Sequence, residues 1–310
     1  MGAGSWSDAD WGSYKSTVSN ATTDTLFRTK SAADVKATII PKNIEMRESR
    51  DSDVNPNSTP VIVALDVTGS MGMLATTIAK EGLGVVFSEL LTRKPISDPH
   101  VMAMAVGDAN CDRSPLQVTQ FEADMRITEQ LLDLYIEGGG GGNSFESYNL
   151  PWAFAARKTS HDAFEKRGKK GYLFTVGDEL PPHDLTLGQI QTFVDADATQ
   201  PISNAELLEA AGKMYHIFHI IIAEGNAIRY TTLDRTKREW QDLLGQRAIV
   251  LDDYTKLAEV IVSAIQVVEG ASADTVAKSW SGDTSLVVAK AVAGLSTDVA
   301  TASKGGVIRF

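Results

Sequence analysis

The chain alternates between short apolar runs and longer segments in which apolar residues recur every three or four positions. The first strong run, "VIVAL" at 61–65, is apolar on both faces of a strand, and a helical pattern follows from about Met73 to Thr92. There Leu74, Ile78, Val85, Val86, Leu90 and Leu91 fall on related faces. Gly82 and Gly84 each cost ~1 kcal/mol of helix propensity, which suits a helix that must lie close on a sheet. "HVMAMAV" at 100–106 reads as the next strand, and "LQVTQF" at 116–121 alternates as its hairpin partner. A helix from about Thr128 to Ile136 presents Leu131, Leu132, Tyr135 and Ile136 to a core.

Beyond a run of glycines, a helix from about Ser147 to Lys158 leads to the strand "YLFTV" at 172–176. A loop with Pro181, Pro182 and His183 opens a less regular stretch. Ser203 then caps "NAELLEAAGKMY", with Glu206 at the third helical position completing a capping box. "IFHIII" at 217–222, a helix around Thr236 to Leu244, "AIVL" at 248–251 and an amphipathic helix from about Tyr254 to Glu269 finish the series. Strands apolar on both faces, alternating with helices, predict an α/β fold. It is a doubly wound, Rossmann-like, mostly parallel six-stranded sheet with helices on both faces.

"RDSDVNPNSTP" sets a boundary before the first strong strand, so the expected organisation is a polar N-terminal arm at 1–57, a domain at 58–270 and an Ala/Ser/Thr-rich extension at 271–310. That extension reads as a short helix and an irregular end. Trp6, Trp11 and Tyr14 in the arm call for a surface to pack on, either the chain's own domain or a partner.

Composition narrows the classes. With 310 residues and 43% of them hydrophobic, the chain can bury one large core. A net charge of -11 and a pI near 5.0 repel phosphate backbones, and the basic "EKRGKKG" at 165–171 reads as a solvated turn, so no nucleic acid is expected as partner. Cys111 is the single cysteine, which excludes an internal disulfide, and the polar start "MGAGSWSDADWGSYKST" lacks the apolar core of a secretory leader. A cytoplasmic location is expected, or a virion-associated one if the protein is phage-encoded. Even "IFHIIIA" falls short of the ~18 apolar residues of a membrane span, so no membrane is expected as partner.

The informative feature is how the first strand ends. "VIVAL" runs into "DVTGSMG", where Asp66, Thr68 and Ser70 stand at alternate positions. Helix capping accounts for one such residue but not for three. In doubly wound sheets ligands sit beyond the carboxyl ends of the strands, where strand order reverses. "YLFTVGDELPP" puts a second carboxylate, Asp178, past another buried strand, and after the glycine run "GGGGGNSFES" offers Asn143, Ser144 and Glu146. These are hard oxygen donors with few nitrogens, suited to Mg²⁺, Mn²⁺ or Ca²⁺ over Zn²⁺. No Gly-Lys-Ser/Thr follows the glycines, so they are no phosphate loop, and they also read as a plain linker. Asp108 and Asp112, which could border the site, read as turn formers, Glu179 as a rim or exposed charge, and His183 as part of a solvated loop.

"DVTGS" resembles the Asp-x-Ser/Thr-x-Ser signature of von Willebrand factor A domains, and the likeness extends over roughly residues 58–270. The resemblance implies a metal-ion-dependent adhesion site, with Thr68 and Ser70 as direct ligands and Asp66 and Asp178 binding the ion directly or through water. It maps the family's second-loop residue, usually Thr, onto Asn143, where Ser144 or Glu146 could stand in. It also implies a non-enzymatic module that captures a partner protein's Asp or Glu through the ion. Similar intracellular prokaryotic and phage proteins work beside AAA+ ATPases of the MoxR type or in multi-protein assemblies. Two other classes fit parts of the sequence. One is a structural subunit of a phage particle or other assembly, using the arm and the extension. The other is a haloacid-dehalogenase-like Mg²⁺-dependent phosphatase, against which Thr68 stands where the second acid is required.

Overall fold

The computed structural model describes residues 4, 5, 7–18, 21–71, 76, 77, 83–138 and 143–296. Its centre is a six-stranded sheet of β2 (Thr59–Asp66), β3 (Pro99–Val106), β4 (Leu116–Val118), β6 (Gly171–Gly177), β7 (Tyr215–Ile222) and β8 (Ala248–Leu251), in the order β4-β3-β2-β6-β7-β8. All neighbours are parallel except β4, which runs antiparallel to β3 at one edge. A separate two-stranded parallel ladder joins β1 (Arg47–Ser49) to β5 (Thr159–His161).

The doubly apolar strands predicted from sequence are explained by two cores. Val61, Val63 and Leu65 of β2 face one, with helices Leu83–Arg93 and Leu257–Val268, while Ile62 and Ala64 face the other, with Asn149–Lys158 and Leu233–Leu244. The same alternation divides Phe218, Ile220 and Ile222 of β7 from Ile217 and Ile221. Among the described residues no helix is long and apolar enough to cross a membrane.

The arm docks on its own chain. Trp11, Tyr14 and Val18 of helix Asp8–Val18 pack with Leu26, Phe27 and Leu132, and the Trp11 and Tyr14 rings stack 5.4 Å apart. Gly84 is required by that contact, since a Cβ there would lie 2.0 Å from the Trp11 indole. The predicted reason for this glycine, closeness to the sheet, is thus replaced by closeness to the arm. Trp6, Leu74, Ile78 and Gly82, like the glycines at 139–142, lie outside the described residues.

Ser203 and Glu206 form the expected capping box. Several local features depart from the sequence reading, among them the helix expected to reach Ile136, which spans Arg126–Leu131. The irregular stretch after Pro182 holds a helix, Leu187–Phe193, with a second capping box of Thr186 and Gln189. The extension forms two helices, Ala273–Lys278 and Gly282–Val292, which bury Val276, Val288 and Val292 in the first core. The helix after the glycines starts at Asn149, two residues past Ser147, whose hydroxyl is occupied by the Ala109 N–H at 2.9 Å.

Candidate metal centre

The chain leaves β2 for β3 on one side and returns to β6 on the other, so the switch point lies between the carboxyl ends of β2 and β6. Asp66 is the last residue of β2, and Asp178 follows the last residue of β6. Asp66 Oδ1 accepts from the Thr68 N–H at 2.9 Å and its hydroxyl at 2.6 Å. This is the local turn that a capping role would need. The network continues beyond it. Thr68 Oγ1 lies 3.3 Å from Ser70 Oγ, and Ser70 Oγ donates to Asp178 Oδ1 at 2.7 Å across 108 residues of sequence. Asp66, Thr68, Ser70 and Asp178 therefore form one continuous run of oxygen donors.

Each end of the run is anchored. The Tyr148 hydroxyl donates to Asp66 Oδ2 at 2.7 Å, and the Ala227 N–H donates to Asp178 Oδ2 at 2.9 Å. Two glycines make room for these anchors. A Cβ at Gly177 would lie 2.0 Å from the Tyr148 oxygen, and one at Gly225 would lie 2.2 Å from Asp178 Oδ2. Asn226 closes the turn by donating its N–H and its side-chain amide to Ser70 O at 3.2 and 3.1 Å. The sequence reading missed Tyr148, Ala227 and both glycines. A glycine just past a buried strand, as at Gly177 and Gly225, was the available signal of a close approach.

The second loop sits differently. Asn143 is exposed, donates Nδ2 to Asp108 Oδ2 at 2.5 Å and accepts the Phe145 N–H at 3.2 Å, so it is bonded to Asp108 and not to the Asp66–Asp178 run. Ser144 O accepts the Leu180 N–H at 3.2 Å, lacing the loop to the chain beyond β6. Asp108 and Asp112 do form the turn after β3, with Asp112 Oδ2 accepting the Asp108 N–H at 2.7 Å. His183 is exposed, as its loop suggested. Glu179 is 6% exposed, so it is an interior carboxylate and not an exposed charge, and Glu146 is 4% exposed.

Burial and the neighbouring Asp178 charge raise Asp66 to about 7, despite the bonds from Thr68 and Tyr148. Burial, then the charges of Asp66, Asp108, Asp112 and Glu179, raise Glu146 to about 10. Burial followed by Asp178, Asp66 and Asp108 raises Glu179 to about 8, and burial raises Asp178. No ion pair among the described residues includes any of these four. Among the described residues Glu146 Oε2 and Glu179 Oε2 have no hydrogen-bond partner. A pocket of interior carboxylates without a cation is matched by a positive ion. Among the described residues no three His, Cys, Asp or Glu are spaced to hold one unaided, so hydroxyls and water must supply part of any shell. That donor set is one of hard oxygens, a kind that divalent cations take.

Gly225→Ala tests the crowding directly. The added methyl should push Asp178 off Ser70 and the Ala227 N–H, lower stability by roughly 1–3 kcal/mol and abolish any stabilisation by Mg²⁺, as read by thermal melting. A variant that melts and responds to Mg²⁺ like wild type would show that Asp178 needs no such fit.

No protein-family model matches the sequence, and no curated protein matches it. Solved structures share similarity with it. The pilus adhesin SpaC from Lactobacillus rhamnosus GG, in its open conformation, is 12% identical over 71% of this chain and 31% of its own, with a TM-score of 0.45. Proximal thread matrix protein 1 from the mussel byssus, with a zinc-occupied MIDAS motif, is 11% identical over 72% of this chain and 48% of its own, with a TM-score of 0.42. The von Willebrand factor type A protein from Catenulispora acidiphila is 15% identical over 68% of this chain and 42% of its own, with a TM-score of 0.35. The chain thus spans less than half the length of each. At this level of likeness, function has to be argued from the chain's own site.

Proposed function

We propose that the chain is a cation-dependent protein-binding module of the von Willebrand factor A type. Its divalent cation, Mg²⁺ first and Mn²⁺ or Ca²⁺ by the same chemistry, is held by Asp66, Thr68, Ser70 and Asp178, with Asn143 as the loop's contact. A partner's Asp or Glu completes the shell. The observation that carries this reading is the unbroken run of oxygen donors from Asp66 to Asp178 across the switch point, among carboxylates to which no basic side chain of the described residues is paired. When bound, the ion supplies the positive charge these carboxylates lack and an open position for an outside oxygen. The chain's own residues do the rest. Tyr148 and Ala227 fix the two carboxylates, and Thr68 and Ser70 orient hydroxyls between them.

The reading assigns no catalysis, because Thr68 cannot serve as the general acid of a phosphatase near neutral pH. Turnover of a generic phosphoester with Mg²⁺ that depends on Asp66 would overturn that assignment. Partner identity is read by a pull-down from the native host in Mg²⁺ and in EDTA, with wild type and Asp66→Ala. A MoxR-type AAA+ ATPase or assembly subunits are the candidates. Proteins retained only by wild type in Mg²⁺ support metal-dependent capture, and equal recovery in all four arms contradicts it.

Tyr230 is a natural contact for that partner. It is 86% exposed and, with Asn143, Ser144, Glu179 and Ala227, lines a cavity of about 360 Å³ at the centre's rim. Aromatic anchors of this kind dominate interfaces, so Tyr230→Ala should reduce partner recovery by about tenfold while the Mg²⁺-induced rise in melting temperature stays at the wild-type value. Unchanged recovery would place the interface elsewhere.

A further inference from the structure

A second cavity, of about 370 Å³, opens next to the metal centre between the Asn143–Asn149 loop and the segment from Pro182 to Gln189. That volume lies within the roughly 300–1,000 Å³ of small-ligand pockets. Its lining includes Asp108, Glu146 and Asp184 and no Lys or Arg, and Phe145 and His183 stand together on it with ring centroids 4.5 Å apart. Acidic lining alone would define nothing. Two acceptors make the difference. Glu146 and Asn149 are 4% and 0% exposed, both line the cavity, and Glu146 Oε2 and Asn149 Oδ1 have no hydrogen-bond partner among the described residues. The Asn149 amide is oriented by its donated bonds to His183 O at 2.7 Å and Asn204 Oδ1 at 2.8 Å, so its oxygen is the atom left over.

Buried acceptors of this kind call for a donor. A guanidinium fits on every count. It offers five N–H donors in a plane and no acceptor, it carries the positive charge the lining lacks, and its flat face stacks on aromatic rings. We infer that this cavity receives an arginine side chain from the same partner protein whose carboxylate the cation captures. The shared-partner clause rests on the proposed metal-dependent capture. It is supported by adjacency, since Asn143 lines both this cavity and the one beneath Tyr230 at the centre's rim.

The test uses N-acetyl-arginine amide as probe on the full chain in Mg²⁺, followed by amide NMR, with the isosteric but neutral N-acetyl-citrulline amide alongside. The expected result is saturable shifts centred on Phe145, Glu146 and Asn149 with the arginine probe only. Glu146→Gln, which removes the carboxyl that an incoming guanidinium would ionise, should weaken binding by about tenfold. If that variant fails to fold, Asp184→Asn reads the same charge from the opposite wall and should weaken the probe measurably. Equal shifts from both probes, no saturable shift, or no effect of either folded variant would overturn the cavity assignment.

A second arm separates the two readings. Peptides carrying one Glu and one Arg, one to four glycines apart, should at their best spacing bind at least about tenfold more tightly than the arginine probe in Mg²⁺ and lose that gain in EDTA. Arginine binding that persists with no spacing giving a gain would keep the pocket and overturn the shared partner. Absent Mg²⁺ stabilisation of wild type would instead sink the metal reading alone.

Discussion

In millimolar Mg²⁺ or Mn²⁺ wild-type protein is expected to melt about 4 °C higher than in EDTA, the shift for a ligand at some 100 times its Kd acting on a chain of this size. Asp66→Ala should melt at one temperature in both conditions while keeping its fold. The reason is positional. Asp66 is fully buried at the end of β2, donates nothing, and accepts from Thr68 and Tyr148, so it orders the run that reaches Asp178. Asp66→Asn sharpens the test, because it keeps the shape and removes the charge. In EDTA at pH 8 it should melt no lower than wild type, since the ionised carboxylate is held there beside Asp178 without compensation. Equal melting of wild type in EDTA and in excess metal would count against an accessible site.

The second large effect is an inverted pH dependence. A carboxylate whose folded-state pKa is raised holds a proton the unfolded chain has given up. Its contribution is therefore complete below the unfolded value and is lost as pH rises through the folded one. Asp66 at about 7, Glu179 at about 8 and Glu146 at about 10 all act in this sense. Buried His161 and half-buried His216, lowered to about 4, and His219, lowered further by burial, act oppositely below about pH 6.5, where the unfolded imidazole takes up its proton. The clean window is therefore pH 7 to 10. In EDTA stability should fall across it, through Glu179 and Glu146 up to about pH 8 and through Glu146 alone up to about pH 10, and saturating Mg²⁺ should flatten the fall. Metal affinity should rise with pH, with protons released on binding, which calorimetry in buffers of different ionisation enthalpy measures. A flat EDTA profile from pH 7 to 10 would mean these carboxylates are better solvated than the structure shows.

The sheet was readable because each strand buries both faces, so apolar runs such as "VIVAL" and "IFHIII" stand out whatever surrounds them. What the sequence obscured was set by tertiary contact. The extension's Val276, Val288 and Val292 look like an Ala/Ser/Thr-rich tail until they meet the helix Leu257–Val268. The arm's Trp11 could be placed only once Gly84 was seen beneath it. At the candidate site Asp66, Thr68, Ser70 and Asp178 were legible because they follow two strands at the ends where ligands gather. Tyr148 was not, because a tyrosine on a helix start carries no periodic sign that its hydroxyl will reach a carboxylate 82 positions earlier. Glu179 was misread for a related reason. A charge after a strand is usually solvated, but the Trp240 indole N–H bonds its carbonyl at 2.9 Å and holds it inside.

The most direct measurement of the central claim is a Mn²⁺ titration followed by electron paramagnetic resonance, which counts free ion. Wild type should remove one Mn²⁺ per chain, Mg²⁺ should compete it off, and Asp66→Ala should leave the free-ion signal at its full amplitude. A full free-ion signal with wild type, or identical uptake by the variant, would contradict a cation held between the ends of β2 and β6.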